Sequence, residues 1–306
     1  MPALSELRDS FTRIGKVFSV LLALLLFALV SATAMSGFLL YEVLHPPRNV
    51  TPFDLSVMMG RPTTFTFHPP GGGSREGWFF PGLRGGPVIV VCHGYLSQRA
   101  DVLTLVTALQ DREFNVFLFD FAGHGTSKGM PTFGYRETGE LRSAVEALAT
   151  RDDVDKEHFG LWGVDMGGYA ALEVAASDPR IAAVAVDDAY DDPREMVQIE
   201  IAKSGLTALP GVRSLADFGF RMIEYPFRKE PPLSSRLIQT AGIPKLFVDS
   251  DDRPALADAT LRLFTKAPDP KMLLRERLGY RDMSDEDRKS YESQIVNFFL
   301  QNIASR

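Results

Sequence analysis

Residues 161–168 read LWGVDMGG. An apolar run ending in Gly-x-Ser-x-Gly presents a serine on a sharp strand-to-helix turn, where its hydroxyl attacks a carbonyl once a neighbouring base takes the proton. Gly163, Gly167 and Gly168 supply the tight turn and the close helix approach, but the residue between them is Asp165. A carboxylate in that place is a poor acyl-transfer nucleophile, because attack on an ester yields a high-energy anhydride. On an alkyl carbon it yields an ester instead, which turns over only if a base activates water.

The base is hard to find. The histidines are His45, His68, His93, His124 and His158, and none follows the turn at 163–168. Imidazole is the side chain whose ordinary pKa suits proton transfer near neutrality. His158 precedes its strand, His45 sits in a Pro-rich stretch and His68 in an opening hairpin. His93 and His124 lie at strand ends, where a structural role in holding loops is expected. Acids are plentiful by contrast: Asp165, Asp187, Asp188, Asp249, Asp251 and Asp252 end apolar runs, with Asp191 and Asp192 close behind. Crowded carboxylates must be solvated, protonated, paired or bound to a cation, and Ca²⁺ favours such oxygens. Pairing with Arg253 or Arg194 is the expected outcome, without metal or cofactor.

The elements that must position these residues alternate. PTTFTFHP and REGWFFPG read as an antiparallel hairpin, followed by PVIVVCHG, a helix near 99–112, NVFLFDFAG, a helix near 136–150, FGLWGVD, a helix from Gly167, and IAAVAVDD. KLFVDSD and KMLLRER follow around a helix near 254–266, and DEDRKSYESQIVNFFLQ closes the chain as a helix. Short β-rich runs alternating with amphipathic helices specify an α/β fold, a mostly parallel sheet flanked by helices, with ligands beyond the carboxyl ends of the strands. Residues 190–240 lack a strand and are expected to form a helical cap.

VCHGYLSQRADV, FLFDFAGHGTSKG and GLWGVDMGGYAALEVA, with HPPR, GWFFP and YESQIVNFF, resemble the α/β-hydrolase fold. The resemblance covers roughly residues 45–300 and is strongest to bacterial membrane-anchored serine hydrolases of the esterase and acyl-peptidase type. It implies that the backbone N–H groups of Tyr95 and Met166 form an oxyanion hole. It places the catalytic histidine eleven residues before Tyr291, where this chain has Tyr280. The acid loop reads PKLFVDSDDRP, with Ser250 at the family's glycine, Arg253 at its aspartate, and Asp252 one residue away as the possible acid. The resemblance therefore implies the fold together with a degenerate triad and a protein that binds rather than hydrolyses. The alternative is a hydrolase using an unrecognised base, esterase-like or with Asp165 as nucleophile in the manner of haloalkane dehalogenases and epoxide hydrolases, which GVDMGG also resembles.

Val17 to Tyr41 contains no charged residue in 25 positions, enough for a helix to cross the ~30 Å hydrocarbon layer. Arg8, Arg13 and Lys16 precede it, so the positive-inside bias puts residues 1–16 in the cytoplasm and the main domain outside, on a single-pass anchor at 17–41. A cleaved signal peptide with ATA at 32–34 competes, but GFLLY carries the apolar run past that point. A Pro-rich linker is expected at 42–52 and the folded domain at 53–306, with a small-molecule ligand beneath the cap at about 190–240. A net charge of −6 over 306 residues, with no basic run, excludes a nucleic-acid partner, and a single cysteine, Cys92, excludes a disulfide framework.

Overall fold

The computed structural model describes residues 4–48, 50, 62–71, 73–227 and 230–303. The chain divides into two compact units, one of Leu44–Ile199 with Pro226–Arg306, the other of Met1–Val43 with Glu200–Tyr225.

The larger unit is an eight-stranded sheet with strands β1 (Thr63–Phe67), β2 (Arg75–Phe80), β3 (Val88–Cys92), β4 (Asn115–Phe119), β5 (Phe159–Val164), β6 (Ile181–Asp187), β7 (Lys245–Ser250) and β8 (Lys271–Glu276). Their order is β1-β2-β4-β3-β5-β6-β7-β8. β1–β2 and β2–β4 pair antiparallel and all later pairs are parallel. The continuous apolar runs account for this. Every residue of β3, β4 and β5 is buried, as a parallel strand covered on both faces requires. Each such Val, Ile or Phe contributes roughly 1.5–3 kcal/mol of burial.

The strands were legible in the sequence, and the helices nearly so. The expected helix near 99–112 is a 3₁₀ turn, Arg99–Val102, leading into α2 (Leu103–Gln110). α3 (Tyr135–Leu148) and α4 (Met166–Ala175) follow their strands, and α4 is buried along its whole length. Among the described residues of 190–240 there is no strand; within this unit they begin α5 (Pro193–Ala202) and end in the short α7 (Leu233–Arg236). α8 (Pro254–Lys266) and α9 (Asp285–Asn302) cover the sheet. Ser284 caps α9 by accepting the Asp287 N–H at 3.2 Å. Trp162 donates its indole N–H to the Tyr291 hydroxyl at 3.0 Å, and its ring meets Tyr280 edge-on at 5.1 Å.

In the smaller unit, α1 runs unbroken from Leu4 to Leu44, so the helix extends beyond the 17–41 span at both ends. Of the expected linker, residues 49, 51 and 52 lie outside the described residues, as do residues 53–61 at the start of the expected domain. Residues 8–31 are exposed throughout, and the helix is long and apolar enough to cross a membrane. From Ser36 onward one face is buried: Ser36, Leu39, Leu40 and Val43. There α1 meets α6 (Val212–Ile223), with the Ser36 hydroxyl donating to the Val212 carbonyl at 2.9 Å.

Candidate functional site

The turn between β5 and α4 is as tight as its glycines allow. A Cβ on Gly163 would lie 2.4 Å from the Gly167 backbone, and one on Gly167 would lie 2.6 Å from the Cys92 carbonyl oxygen. Asp165 occupies the strained residue of the turn, with φ 40° and ψ −104°, a left-handed backbone that disfavours a side chain. It is held there by its own N–H donating to the Asp187 carbonyl and by its carbonyl accepting the Tyr169 N–H, both at 2.8 Å.

Its side chain is turned inward and is 3% exposed. Oδ1 accepts the Tyr95 N–H at 2.7 Å and also the Met166 N–H. These are the two donors that the resemblance assigns to an oxyanion hole. Both aim at one point, as such a hole requires, and the point is filled by the residue at the nucleophile position. Gly94 permits this, since a Cβ there would stand 2.6 Å from Asp165 Oδ2.

Tyr280 lies in a short 3₁₀ turn, Tyr280–Asp282, after β8. Its ring borders the cavity beside Asp165, but its hydroxyl donates to Glu292 at 2.8 Å and lies 3.3 Å from Thr104 Oγ1. Burial, reinforced by the negative Glu292, drives the phenol pKa far above its ordinary value. Asp252, the possible acid, accepts the Gly279 N–H at 2.9 Å and so ties the β7 loop to the β8 loop. The guanidinium next to both is Arg253. It lies 3.7 Å from Asp188 and 3.3 Å from Asp282, and a Cβ on Gly279 would touch its Nε at 2.9 Å. Burial works against its charge, but Asp165, Asp188, Asp282 and Asp187 together raise its pKa. A permanent cation thus stands among the carboxylates around the β5–α4 turn.

His93 and His124 are both locked. His93 Nε2 accepts the Phe121 N–H at 3.0 Å and His124 Nε2 accepts the Leu96 N–H at 3.3 Å. That fixes the proton on Nδ1, which donates to the Gly94 and Ala122 carbonyls respectively. Burial lowers both pKa values, that of His124 to about 3 with help from neighbouring His93. Neither ring has a nitrogen left to take a proton.

The acidic rim is divided rather than pooled. Asp249 pairs with Arg275 at 3.1 Å, Asp192 with Arg194, and Asp191 with Lys266 at 3.6 Å. Asp188 accepts the Ser250 hydroxyl at 2.7 Å. Asp187 is 1% exposed, and burial, with Asp188 beside it, pushes its pKa well up. The Tyr291 hydroxyl faces it, yet neither Asp187 oxygen makes a hydrogen bond of ordinary geometry. Among the described residues no three of these groups come together as a metal site.

A cavity of about 460 Å³ opens beside Asp165. Its walls include Gly94, Tyr95, His124, Arg253 and Tyr280 from the loops that follow the strands. Arg281 and Arg288, which sequence reasoning missed, line it with Arg253. Arg281 reaches only the Tyr95 carbonyl at 3.5 Å, and Arg288 the Met283 and Arg281 carbonyls at 3.2 and 3.5 Å. Among the described residues neither meets a carboxylate. The run RLGYRDMSDEDR carried the signal, but opposite charges surround both arginines in sequence and hide their isolation in space.

The strand order, the glycine-lined turn after β5 and the loops gathered around it define an α/β-hydrolase fold. A family described as alpha/beta hydrolase fold matches residues 87–214. YfhR of Escherichia coli O157:H7, an uncharacterized protein, is 28% identical over 238 residues, 74% of this chain and 76% of YfhR. The uncharacterized protein Rv2307c of Mycobacterium tuberculosis is 34% identical over 113 residues, 35% of this chain and 39% of its own. Among solved structures, the Pyrococcus furiosus esterase Pf2001 superposes with a TM-score of 0.65 over 85% of this chain and all of its own, at 18% identity. The acylaminoacyl peptidase of Pyrococcus horikoshii gives a TM-score of 0.61 over 80% of this chain and 42% of its own, at 15% identity. Likeness at these identities establishes the fold.

Proposed function

We propose that this chain is a membrane-anchored pseudo-hydrolase, which keeps the hydrolase scaffold and uses its cavity to bind a small anion instead of cleaving an ester. The observation that carries this reading is the capture of both the Tyr95 and Met166 N–H groups by Asp165 Oδ1. With those donors occupied, no oxyanion can be stabilised, and removing one such donor alone typically costs about 10²–10³ in turnover. Arg281 and Arg288, whose hydrogen bonds among the described residues go to carbonyls, supply the positive wall that a carboxylate or phosphate would neutralise. The anchor is α1, with the main domain on the extracytoplasmic side.

Detergent-solubilised full-length protein is expected to show no turnover of p-nitrophenyl butyrate above background. Millimolar butyrate or inorganic phosphate should raise its melting temperature by mass action, and Arg281→Ala/Arg288→Ala should abolish the rise. Many turnovers per protein, lost in Asp165→Asn, would refute the reading. They would favour Asp165 as a carboxylate nucleophile, for which the retained strain at φ 40° is the supporting observation.

A further inference from the structure

Helix α6 carries two apolar sectors, one more than its own packing uses. Val212, Ala216 and Phe220 recur at helical spacing and are buried. Arg213, Asp217 and Arg221 form a polar sector, with Arg221 donating to Asp217 at 2.8 Å. Between the polar sector and the far edge of the buried one lie Phe218 and Met222, 61% and 60% exposed, one turn apart. Leu215 extends the stripe in one direction, and Tyr225, 54% exposed, continues it in the other. Leu209, 49% exposed, stands just before the helix. Scattered apolar exposure needs no explanation, but a contiguous stripe on one helix face marks a surface with an apolar partner.

The partner follows from where α6 is fastened. A helix crosses ~30 Å of hydrocarbon in about 20 residues. Counted from Val17, where the charge-free stretch begins, that thickness ends near Ser36. Ser36 is the residue whose hydroxyl bonds the Val212 carbonyl at the first turn of α6, and Leu40 lies against Gly219 about two turns on. The two helices therefore meet at the depth where α1 leaves the membrane.

We propose that the stripe of Leu215, Phe218, Met222 and Tyr225 docks on the lipid bilayer, so that α6 is an interfacial helix lying beside the exit of the anchor. Such helices bury their apolar face about 5–10 Å into the boundary between headgroups and acyl chains and keep the polar face in water. The polar sector holds an arginine paired to an aspartate, so neutral lipid suffices. This inference rests on α1 spanning the membrane.

The test uses full-length protein in phosphatidylcholine vesicles. Cys92 is fully buried, so single added cysteines can be labelled selectively with an environment-sensitive fluorophore. Labels at Phe218→Cys and Met222→Cys should be quenched several-fold more than one at Arg213→Cys by lipids with a doxyl group high on the acyl chain. A label at Leu24→Cys should be quenched by a doxyl group near the chain end. Equal quenching at 213, 218 and 222, or none at 218 and 222 with strong quenching at 24, would overturn the docking and leave the anchor standing. No quenching at 24 would overturn both.

Discussion

A carboxylate at residue 165 brings two acceptors into a turn that a serine would leave open, and the amides close on it. Asp165→Ser should therefore reopen the donor pair without restoring hydrolysis. The new hydroxyl still has no base, and positioned general-base help is worth about 10²–10⁴ in rate. Initial rates on short acyl esters check this. A rate well above that of the wild-type protein would mean that a base had been overlooked. A second residue shows the same contest between burial and charge. Glu173 on α4 pairs with Arg236 at 2.7 Å, yet burial outweighs the pair and raises its pKa to about 7. Since the folded value exceeds the ordinary 4.5, folding favours the protonated acid. Its contribution is complete below pH 4.5 and is lost as pH rises through about 7. Relative to Glu173→Gln, the wild-type protein should thus lose stability across that window, on the order of 3 kcal/mol in full, and urea titrations at pH 4.5 and pH 8 measure the difference. The tight turn after β5 could be read from the spacing of Gly163, Asp165 and Gly167. The capture of the amides could not, because it depends on how far Asp165 Oδ1 reaches across from one loop to the next.

Among the elements, the β5–α4 turn is the least forgiving. Gly163→Ala would force a methyl into the Gly167 backbone, where no side chain can yield, and should destabilise the larger unit by roughly 3 kcal/mol or more. A fall in melting temperature of several degrees, with Gly139→Ala on the open face of α3 as a near-neutral control, checks it. The strands were legible because a buried parallel strand is a short apolar run between turn residues, as VIVVC and FGLWGV both are. The direction of Tyr280 was not. Counting from Tyr291 gave its place in the chain, but whether its hydroxyl faces Asp165 or Glu292 is decided by packing against Trp162. Arg253 was read both as a substituted acid and as a partner for the aspartates, and it does stand among the carboxylates around the β5–α4 turn.

Taken whole, the molecule carries an α/β sheet and a long apolar helix that is exposed over residues 8–31. If α1 is an uncleaved anchor with its N-terminus inside, full-length protein should remain in membranes after alkaline carbonate washing. Protease added to spheroplasts should then digest the main domain. Recovery of a soluble form beginning near Met35 would instead identify a signal peptide. The filled amide pair also determines how the molecule registers with reagents. Fluorophosphonates label serine hydrolases because an activated hydroxyl attacks phosphorus while the oxyanion hole polarises the phosphoryl oxygen. In this chain the hydroxyl is missing and the hole is occupied by Asp165. A cell lysate profiled with such a probe would leave the protein unlabelled at any expression level, so inventories of hydrolases built on covalent labelling would pass over it even where its fold is abundant.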